Sequence, residues 1–310
     1  MRVLVMGAGG VGGYYGGMLA HAGEDVCFVA RGPQLEALRE KGLELRTQGR
    51  TLRIEPARTV ERPNQVGEPP DLVLFTVKTY DTAPALEALR PTIGPDTAVL
   101  TLQNGIDSVD QLIAAFGADR VLVGVTYIAS SVIEPGVVNE NGFSRRVVFG
   151  EPDGRVTPRA EAILAAFRRA ELEVELATNP RQALWDKFVL VAPHATISSL
   201  CQTPIGVTRE TPEAMELYRA MIGEVKAVGE SAGFAFGPDT ADRIVENFVG
   251  APPGQVSSMQ RDYAAQRRVE LEALTGTVVR RGEQLGVPTP SFRALYAVLK
   301  VRASTFGGLS

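Results

Sequence analysis

Short apolar runs alternate with amphipathic stretches through the first 150 residues of the chain. Apolar runs rich in β-branched residues predict strands, whereas apolar residues that recur every three or four positions predict helices. The predicted strands are 2–6, 26–30, 72–77, 98–102, 121–126 and 147–150, and the predicted helices between them are 14–22, 34–41, 83–89 and 108–116. This alternation is typical of a parallel sheet with helices on both faces. The more polar segment 43–66 is expected to add small strands or a loop.

The pattern becomes helical in the second half of the chain. A predicted helix at 159–170 and a strand at 172–177 are followed by the turn Thr178-Asn179-Pro180. Beyond it, helical periodicity predicts helices at 181–192, 212–232, 240–248, 258–285 and 290–302. We therefore predict an α/β protein with two domains, a doubly wound parallel sheet in residues 1–178 and an all-α domain in residues 179–310.

The charge composition argues against a nucleic-acid partner. The 310 residues include 32 Lys and Arg against 36 Asp and Glu, which gives a net charge of -4. The basic residues do not form the runs that neutralise a phosphate backbone. We therefore expect the partner to be a small molecule.

Cysteine use and hydropathy indicate a cytoplasmic protein. Cys27 and Cys201 each lie in an apolar stretch and not in a paired motif, which is typical of a reducing compartment. The first residues lack the features of a signal peptide. The uncharged stretch 188–208 contains two prolines and several polar side chains, so it predicts a buried helix and a turn. We expect no membrane segment.

Two kinds of site can be set aside. The stretch from Gly229 to Gly233 matches the G-x-S-x-G motif of hydrolases, but that motif must follow a strand, and here it follows a helical pattern. We interpret it as a helix C-terminus that ends in glycine. The chain has only His21 and His194 and no Cys-x-x-Cys, so we expect no transition-metal site.

A glycine-rich motif follows the first predicted strand. Gly7-Ala8-Gly9-Gly10-Val11-Gly12 matches G-x-G-x-x-G, with a strand before it and a helix after it. In a Rossmann-type fold, Gly7 allows the tight turn, Gly9 lets the backbone approach a pyrophosphate, and Gly12 lets the helix pack on the strand. The alternative is a glycine-rich turn of an unrelated α/β protein. The context favours dinucleotide binding, with Gly7, Ala8, Gly9, Gly10, Val11 and Gly12 as binding residues.

The end of the second strand indicates which dinucleotide binds. An NAD site usually carries an acidic residue there, which accepts a hydrogen bond from the ribose hydroxyl. Here Arg31 follows the strand. Because an arginine pairs with a 2′-phosphate and accepts no hydrogen bond, the sequence favours NADP(H). The alternative is a solvated arginine in a loop.

Three further polar residues lie at positions suited to ligand binding or catalysis. Lys78 and Asn104 follow two neighbouring strands, and ligands of doubly wound sheets bind at the carboxyl ends of strands. Turn chemistry alone would also explain Asn104 before Gly105. Lys187 opens an uncharged stretch, so it either extends past the core to solvent or lies beside a reaction centre.

Taken together, these residues resemble the ketopantoate reductases (2-dehydropantoate 2-reductases), and the resemblance covers essentially the whole chain. Its most specific part is Ser257-Ser258-Met259, with Asp262 four residues and Glu270 twelve residues after the second serine. The other matching positions are Gly7–Gly12, Arg31, Val77-Lys78, Gln103-Asn104-Gly105, Trp185-Asp186-Lys187, Val269-Glu270-Leu271-Glu272 and Gly276. The family combines a Rossmann domain with an all-helical domain.

The resemblance implies an NADPH-dependent reduction of 2-dehydropantoate to pantoate, in pantothenate biosynthesis. The cofactor would be bound by the glycine loop together with Arg31, Lys78, Asn104 and Glu270. Lys187 would be the general acid and would bind the substrate together with Ser258. A lysine ammonium both stabilises and protonates the alkoxide that forms when hydride reaches a ketone carbon. Whether the protein forms a homodimer is left open.

The substrate positions depart from the family. The helix after the family's lysine carries asparagines four and eight residues on, and a third follows the next turn. Val191, Ala195 and Ile205 occupy these positions here. A site built to bond a substrate hydroxyl discriminates by about 10⁴ through such groups. The alternatives are therefore a reductase of a more apolar 2-oxo acid or related carbonyl compound, or a non-catalytic NADP-binding regulatory protein.

The positions of Ser258 and Glu270 raise a geometric question. On one straight helix they would be about 18 Å apart, too far to serve one small substrate. Ser258 is therefore expected in the turn before the helix, where Ser257 and Gln260 have the spacing of a capping box.

Overall fold

The computed structural model describes residues 1–306, so positions 307–310 of the predicted second domain lie outside the described residues. The chain forms two compact units. The first contains residues 1–103 and 108–183, and the second contains residues 104–107 and the chain from Leu184 onward.

The strands and helices alternate in the first unit and give way to helices in the second. The strands are β1 Arg2–Met6, β2 Asp25–Val29, β3 Leu43–Thr47, β4 Arg50–Ile54, β5 Thr59–Val60, β6 Leu72–Phe75, β7 Ala98–Thr101, β8 Val121–Glu134, β9 Val137–Gly150 and β10 Val174–Leu176. The helices are α1 Gly10–His21, α2 Gly32–Lys41, α3 Thr82–Leu89, α4 Ser108–Phe116, α5 Pro158–Arg169, α6 Pro180–Cys201, α7 Ile205–Arg209, α8 Pro212–Ser231, α9 Thr240–Gly250, α10 Ser258–Ala264, α11 Thr277–Leu285 and α12 Pro290–Ser304. A π-helical turn, Glu272–Gly276, precedes α11.

The sheet of the first unit has the strand order β4-β3-β9-β8-β7-β6-β1-β2-β5, with β10 paired to β9. The run β5-β2-β1-β6-β7-β8 is parallel throughout. Strand order reverses beside β1, as in dinucleotide-binding sheets, and ligands bind at this point outside the carboxyl ends of the strands. The predicted fold class, with a Rossmann-type sheet followed by helices, is confirmed.

Both faces of this sheet are covered, which explains the apolar runs of its strands. Successive residues of a strand point to opposite faces. Val5 packs in a core with α1 and α5, whereas its neighbour Leu4 packs in a second core with α3 and α4. The first core includes Tyr15, Leu19, Phe28, Leu74, Ile163 and Phe167, and the second includes Cys27, Val73, Phe75, Leu89 and Leu112.

Strands β8 and β9 form a hairpin much longer than predicted. The predictions 121–126 and 147–150 cover only its base, because each strand has 14 residues. Register shifts between Ile128 and Ser130 and between Val132 and Glu134 break the alternation on which a strand prediction depends. The outer part of β9 pairs with β3, which explains why the polar segment 43–66 forms strands.

Helices α6–α12 build the second unit. The ring of Trp185, on α6, lies 5.1 Å from that of Phe234, centroid to centroid. Helix α6 was predicted to end at residue 192 but continues past Pro193 to Cys201, since a buried proline removes one hydrogen bond without ending the helix here. Helix α8 ends at Ser231 and Gly233 has φ +90°, so the predicted helix C-terminus at this motif is confirmed.

The single predicted helix 258–285 is wrong. Helix α10 ends at Ala264, and the amides of Gln266 and Arg267 bond back to the carbonyls of Tyr263 and Asp262. This is a Schellman motif, and its left-handed residue is Gln266 with φ +52°. Because glycine usually occupies that position, the sequence carries no signal for the break.

Within residues 1–306, no helix is long and apolar enough to cross a membrane. The same part of the chain contains no group of three or more His, Cys, Asp or Glu side chains that could hold a metal ion.

Candidate functional site

The glycine loop of the first unit follows β1 directly. Gly7 has φ +106°, a left-handed conformation that favours glycine. A Cβ on Gly12 would lie 2.2 Å from the carbonyl oxygen of Gly7 and 2.4 Å from Oγ1 of Thr76. Helix α1 therefore approaches the turn more closely than any side chain at position 12 would allow.

In the middle of the glycine loop, the backbone amides at the start of α1 are available to bind a ligand. Helix α1 begins at Gly10, no side chain caps it, and its first turn contains no acidic residue. A Cβ on Gly9 would meet no atom within 4 Å, so there is space beside the backbone. The first-turn amides, which include those of Val11 and Gly12, and the positive end of the helix dipole suit an anionic group such as a diphosphate.

Two contacts that support the loop were not predicted from the sequence. Nε2 of Gln34, on α2, donates to the carbonyl of Ala8 at 3.0 Å, and its Oε1 accepts from the amide of Gly136 at 3.0 Å. A Cβ on Gly10 would lie 2.5 Å from the carbonyl oxygen of Ser130, whose buried hydroxyl has no hydrogen-bond partner among the described residues. Both contacts join distant parts of the chain, so no local pattern could reveal them.

Arg31 occupies the position between β2 and α2. It is the N-cap residue of α2, and its side chain is exposed. In the chain up to residue 306, no acceptor bonds to its guanidinium. No acidic residue occurs between Ala30 and Pro33. The end of β2 therefore presents an arginine with open donors to a ligand.

Lys78 lies past the carboxyl end of β6. The strand ends at Phe75, two residues earlier than predicted, and Lys78 precedes a short 3-10 turn. Nε2 of Gln103, which follows β7, donates to the carbonyl of Val77 at 2.8 Å and to Oγ1 of Thr82 at 3.0 Å. The segments after these two neighbouring strands are thus tied together at the edge where ligands of such sheets bind.

In the second unit, Lys187 projects from α6 and binds Asn104. Nζ of Lys187 donates to Oδ1 of Asn104 at 2.9 Å. Burial lowers the pKa of Lys187 from its ordinary 10.5 to about 8, and the negative charge of Glu270 opposes this shift. The amine therefore holds its proton at neutral pH and releases it at mildly alkaline pH, a range in which a general acid is effective.

Glu270 lies at the start of the segment that leads to α11. It is only 5% exposed, and it directly precedes the helical residue Leu271. The turn after α10 separates Glu270 from Ser258, so the two residues are not on one helix. The estimate of 18 Å for a straight helix, made from the rise of about 1.5 Å per residue, therefore does not apply.

Ser258 is the first residue of α10. The Oγ of Ser257 caps the helix by accepting from the amide of Gln260 at 3.0 Å and from the hydroxyl of Ser198 at 2.8 Å. The side chain of Gln260 does not return to Ser257 but donates to the carbonyl of Thr203 at 3.0 Å. Only half of the predicted capping box forms. The Ser258 hydroxyl makes no hydrogen bond within the described part of the chain, which leaves it open to a ligand.

The positions that depart from the family are apolar in the structure. Val191 is half-buried, and Ala195 and Ile205 are 2% and 3% exposed. His194 lies seven residues, about two turns, after Lys187 and so shares its side of α6. Its ring is neutral near pH 7, since burial lowers its pKa to about 4, and both ring nitrogens are buried without a partner among the residues described. The side chains at positions 191 and 195 therefore carry no amide group.

The predicted site residues form two groups. The glycine loop, Arg31 and Lys78 lie at the carboxyl edge of the sheet in the first unit. Asn104, Lys187 and Glu270 form an electrostatically coupled cluster in the second unit. Within residues 1–306, no hydrogen bond joins Ser258 to that cluster.

Comparison with known proteins covers both parts of the chain. Residues 3–154 match the family described as ketopantoate reductase PanE/ApbA, and residues 179–303 match the C-terminal part of the same family. The crystal structure of a PanE/ApbA family ketopantoate reductase from Ralstonia eutropha JMP134 is similar with a TM-score of 0.92 and 33% identity, and covers 99% of this chain and 100% of that chain.

Two curated relatives are similar over almost their whole length. The 2-dehydropantoate 2-reductase of Halobacterium salinarum is 31% identical over 305 residues, which are 97% of this chain and 98% of the relative. The uncharacterized oxidoreductase YkpB of Bacillus subtilis is 29% identical over 301 residues, again 97% of this chain and 98% of the relative. Both family matches and the similarity over the full length lead to one conclusion: the chain belongs to the ketopantoate reductase family.

Proposed function

We propose that this protein reduces a 2-oxo acid to the 2-hydroxy acid with NADPH, and that Lys187 supplies the proton. As a member of its family, the chain is an oxidoreductase that acts on a ketone or alcohol, and its cofactor is NADP(H). The observation that carries the proposal is the half-buried ammonium of Lys187, held 2.9 Å from Oδ1 of Asn104 and within the electrostatic influence of Glu270.

The first unit supplies the groups that fit the cofactor. The uncapped first turn of α1 and the open space beside Gly9 suit the diphosphate. The open donors of Arg31 suit a 2′-phosphate, and Lys78 lies at the same edge of the sheet. Bound NADPH would supply a hydride to the carbonyl carbon of the substrate. We assign Asn104 and Glu270 to the same cofactor on the basis of the family resemblance.

The second unit supplies the proton. As the carbonyl carbon gains hydride, its oxygen becomes an alkoxide and takes a proton from Nζ of Lys187, which leaves the amine neutral until solvent returns the proton. Asn104 orients Nζ through its Oδ1, and Glu270 favours the ammonium form. We assign the hydroxyl of Ser258, which is open to a ligand, to the substrate carboxylate.

Two classes of substrate are candidates. The first class is 2-dehydropantoate, because several relatives are named 2-dehydropantoate 2-reductase. The apolar Val191, Ala195 and Ile205 favour a second class, 2-oxo acids with an apolar side chain, because these residues offer no donor to a substrate hydroxyl.

The test is a panel of substrates with the purified protein. We expect NADPH oxidation with at least one of 2-dehydropantoate, its analogue without the hydroxyl, and a series of branched and aromatic 2-oxo acids. The ratio of kcat/KM between 2-dehydropantoate and its deoxy analogue decides between the two classes. Tight NADPH binding without oxidation by any member would favour the alternative of a non-catalytic NADP-binding protein.

The pH dependence of turnover provides a separate test of the proton donor. Because Lys187 has a pKa of about 8, kcat should be constant below that pH and fall about tenfold per pH unit above it. Glu270→Gln removes the charge that raises this pKa, so the alkaline limb should move to lower pH. The measurement is kcat from pH 6 to 10 at saturating NADPH and substrate. Identical profiles for the two proteins would contradict the assigned role of Glu270.

A further inference from the structure

The loop that carries Asn104 belongs to the second unit, although the residues before and after it in the chain belong to the first. The loop consists of residues 104–107. Gly105 has φ +86°, and a Cβ on it would lie 2.9 Å from the carbonyl oxygen of Ala273 in the π-helical turn. The loop therefore lies directly against that turn.

At the other end of the loop, Asp107 forms hydrogen bonds with side chains of α11. Its Oδ2 accepts from the hydroxyl of Thr277 at 2.7 Å, and its Oδ1 accepts from Nε and Nη2 of Arg281 at 2.9 and 2.7 Å. Nη2 of Arg280 lies 3.6 Å from Oδ2. The hydroxyl of Thr277 is fully buried, so the carboxylate is held by one buried donor and two guanidinium donors.

Asp107 is three residues from Asn104, whose Oδ1 accepts from Lys187. We infer that Asp107 is a positioning residue, which holds the loop on α11 and the π-helical turn so that Asn104 stays hydrogen-bonded to the ammonium of Lys187. This inference rests on the proposed role of Lys187 as the acid. Neither the substrate nor the cofactor needs to touch Asp107 for the effect.

The expected consequence is a change in the proton affinity of Lys187. An acceptor at 2.9 Å favours the ammonium over the amine, so a loop that drifts away should lower the pKa of Lys187. Glu270 is the charged group that acts on Lys187, and Arg280 and Arg281 face Asp107. Glu272 forms ion pairs with Arg280 and with Lys300. These charged groups around the loop therefore pair with one another, and none of these pairs includes Lys187.

The test compares Asp107→Ala, Asn104→Ala and the double variant. We expect each single variant to lower the pKa of Lys187 by about one unit, and the double variant to lower it no further than Asn104→Ala does. The pKa is read from the alkaline limb of kcat and, without turnover, from an NMR titration of ¹³C-labelled lysine side chains with Lys187→Arg for assignment. At pH 8, a drop of one unit lowers the protonated fraction about five-fold.

The matched control is Asp242→Ala, which removes an exposed carboxylate that pairs with Arg219 at 2.8 Å in the same unit. It should leave the titration of Lys187 unchanged. Should Asp107→Ala fail to fold, Arg281→Gln loosens the same carboxylate and must give the same shift. An unchanged pKa of Lys187 in a folded Asp107 or Arg281 variant overturns the inference, and so does a shift that adds fully to that of Asn104→Ala.

The proposed acid role of Lys187 and the positioning role of Asp107 would fail with different experimental results. If Lys187 variants keep normal turnover, the acid assignment fails, but the NMR titration still reports whether Asp107 controls the Asn104 contact. If Lys187 variants are inactive and the pKa of Lys187 does not change in Asp107→Ala, only the inference about Asp107 fails.

Discussion

Lys187→Met lowers kcat by about 10²–10⁴-fold, which is the contribution that a general acid typically makes. Methionine keeps most of the length of the side chain and removes the proton, so the packing of α6 is preserved while the alkoxide is left without a donor. Because the glycine loop and Arg31, the groups assigned to the diphosphate and the 2′-phosphate, are unchanged in this variant, NADPH binding should change little. The measurements are single-turnover NADPH oxidation and NADPH titration by fluorescence.

The control for this experiment is Lys226→Met. Lys226 lies on α8, in the same unit, and its ammonium pairs with Glu230 at 2.9 Å. Removal of that partly exposed pair should leave kcat unchanged, since ion pairs near the surface contribute little. Small primary amines should partly restore the activity of Lys187→Ala, in which the truncated side chain leaves room for an external donor. A Lys187→Met protein with normal kcat would show that the lysine is structural.

Local patterns predicted the Rossmann-type sheet because its strands are buried on both faces. Strand β1 and helix α4 have the predicted bounds, 2–6 and 108–116. Each is short and apolar at the expected period, and a glycine follows each of them. The glycine loop was also predictable, since the turn at Gly7 and the close approach at Gly12 each require glycine.

Long-range contacts explain most of what the sequence did not predict. The hairpin of β8 and β9 loses its alternation at two register shifts, and it is ordered in part by pairing with β3. The break after α10 depends on Gln266 in a left-handed conformation, for which no sequence signal exists. The role of Asp107 depends on a long-range contact, because its partner Arg281 is 174 residues away.

Several statements drawn from the sequence stay predictions. The domain boundary at residue 178, the cytoplasmic location, the lack of a nucleic-acid partner and the question of a homodimer stay predictions from the sequence. So do the individual roles of Ser258, Lys78 and Glu270. These residue roles depend on a bound ligand, and the side chains specify the chemical groups that would contact it.

Arg31→Ala reduces the preference for NADPH over NADH by about one to two decades. Hydrogen bonds to charged groups contribute about 1.5–3 kcal/mol, and each 1.4 kcal/mol changes an affinity about tenfold. Arg31 lies two residues after the end of β2, where the 2′-phosphate of the adenine ribose is expected, and no acceptor in residues 1–306 competes for its guanidinium. The affinity for NADPH should therefore fall while that for NADH stays nearly constant, as measured by titration calorimetry with both cofactors.

Arg39→Ala is the matched control, because Arg39 is an exposed arginine in the last turn of the same helix and donates only weakly, at 3.5 Å, to the carbonyl of Thr59. Its removal changes the net charge by the same amount as Arg31→Ala, so a general electrostatic effect would appear in both variants. A specific contact to the 2′-phosphate should appear only in Arg31→Ala, and it should weaken with increasing salt less than a long-range attraction does. Equal affinity of the unmodified protein for NADPH and NADH would exclude this role for Arg31.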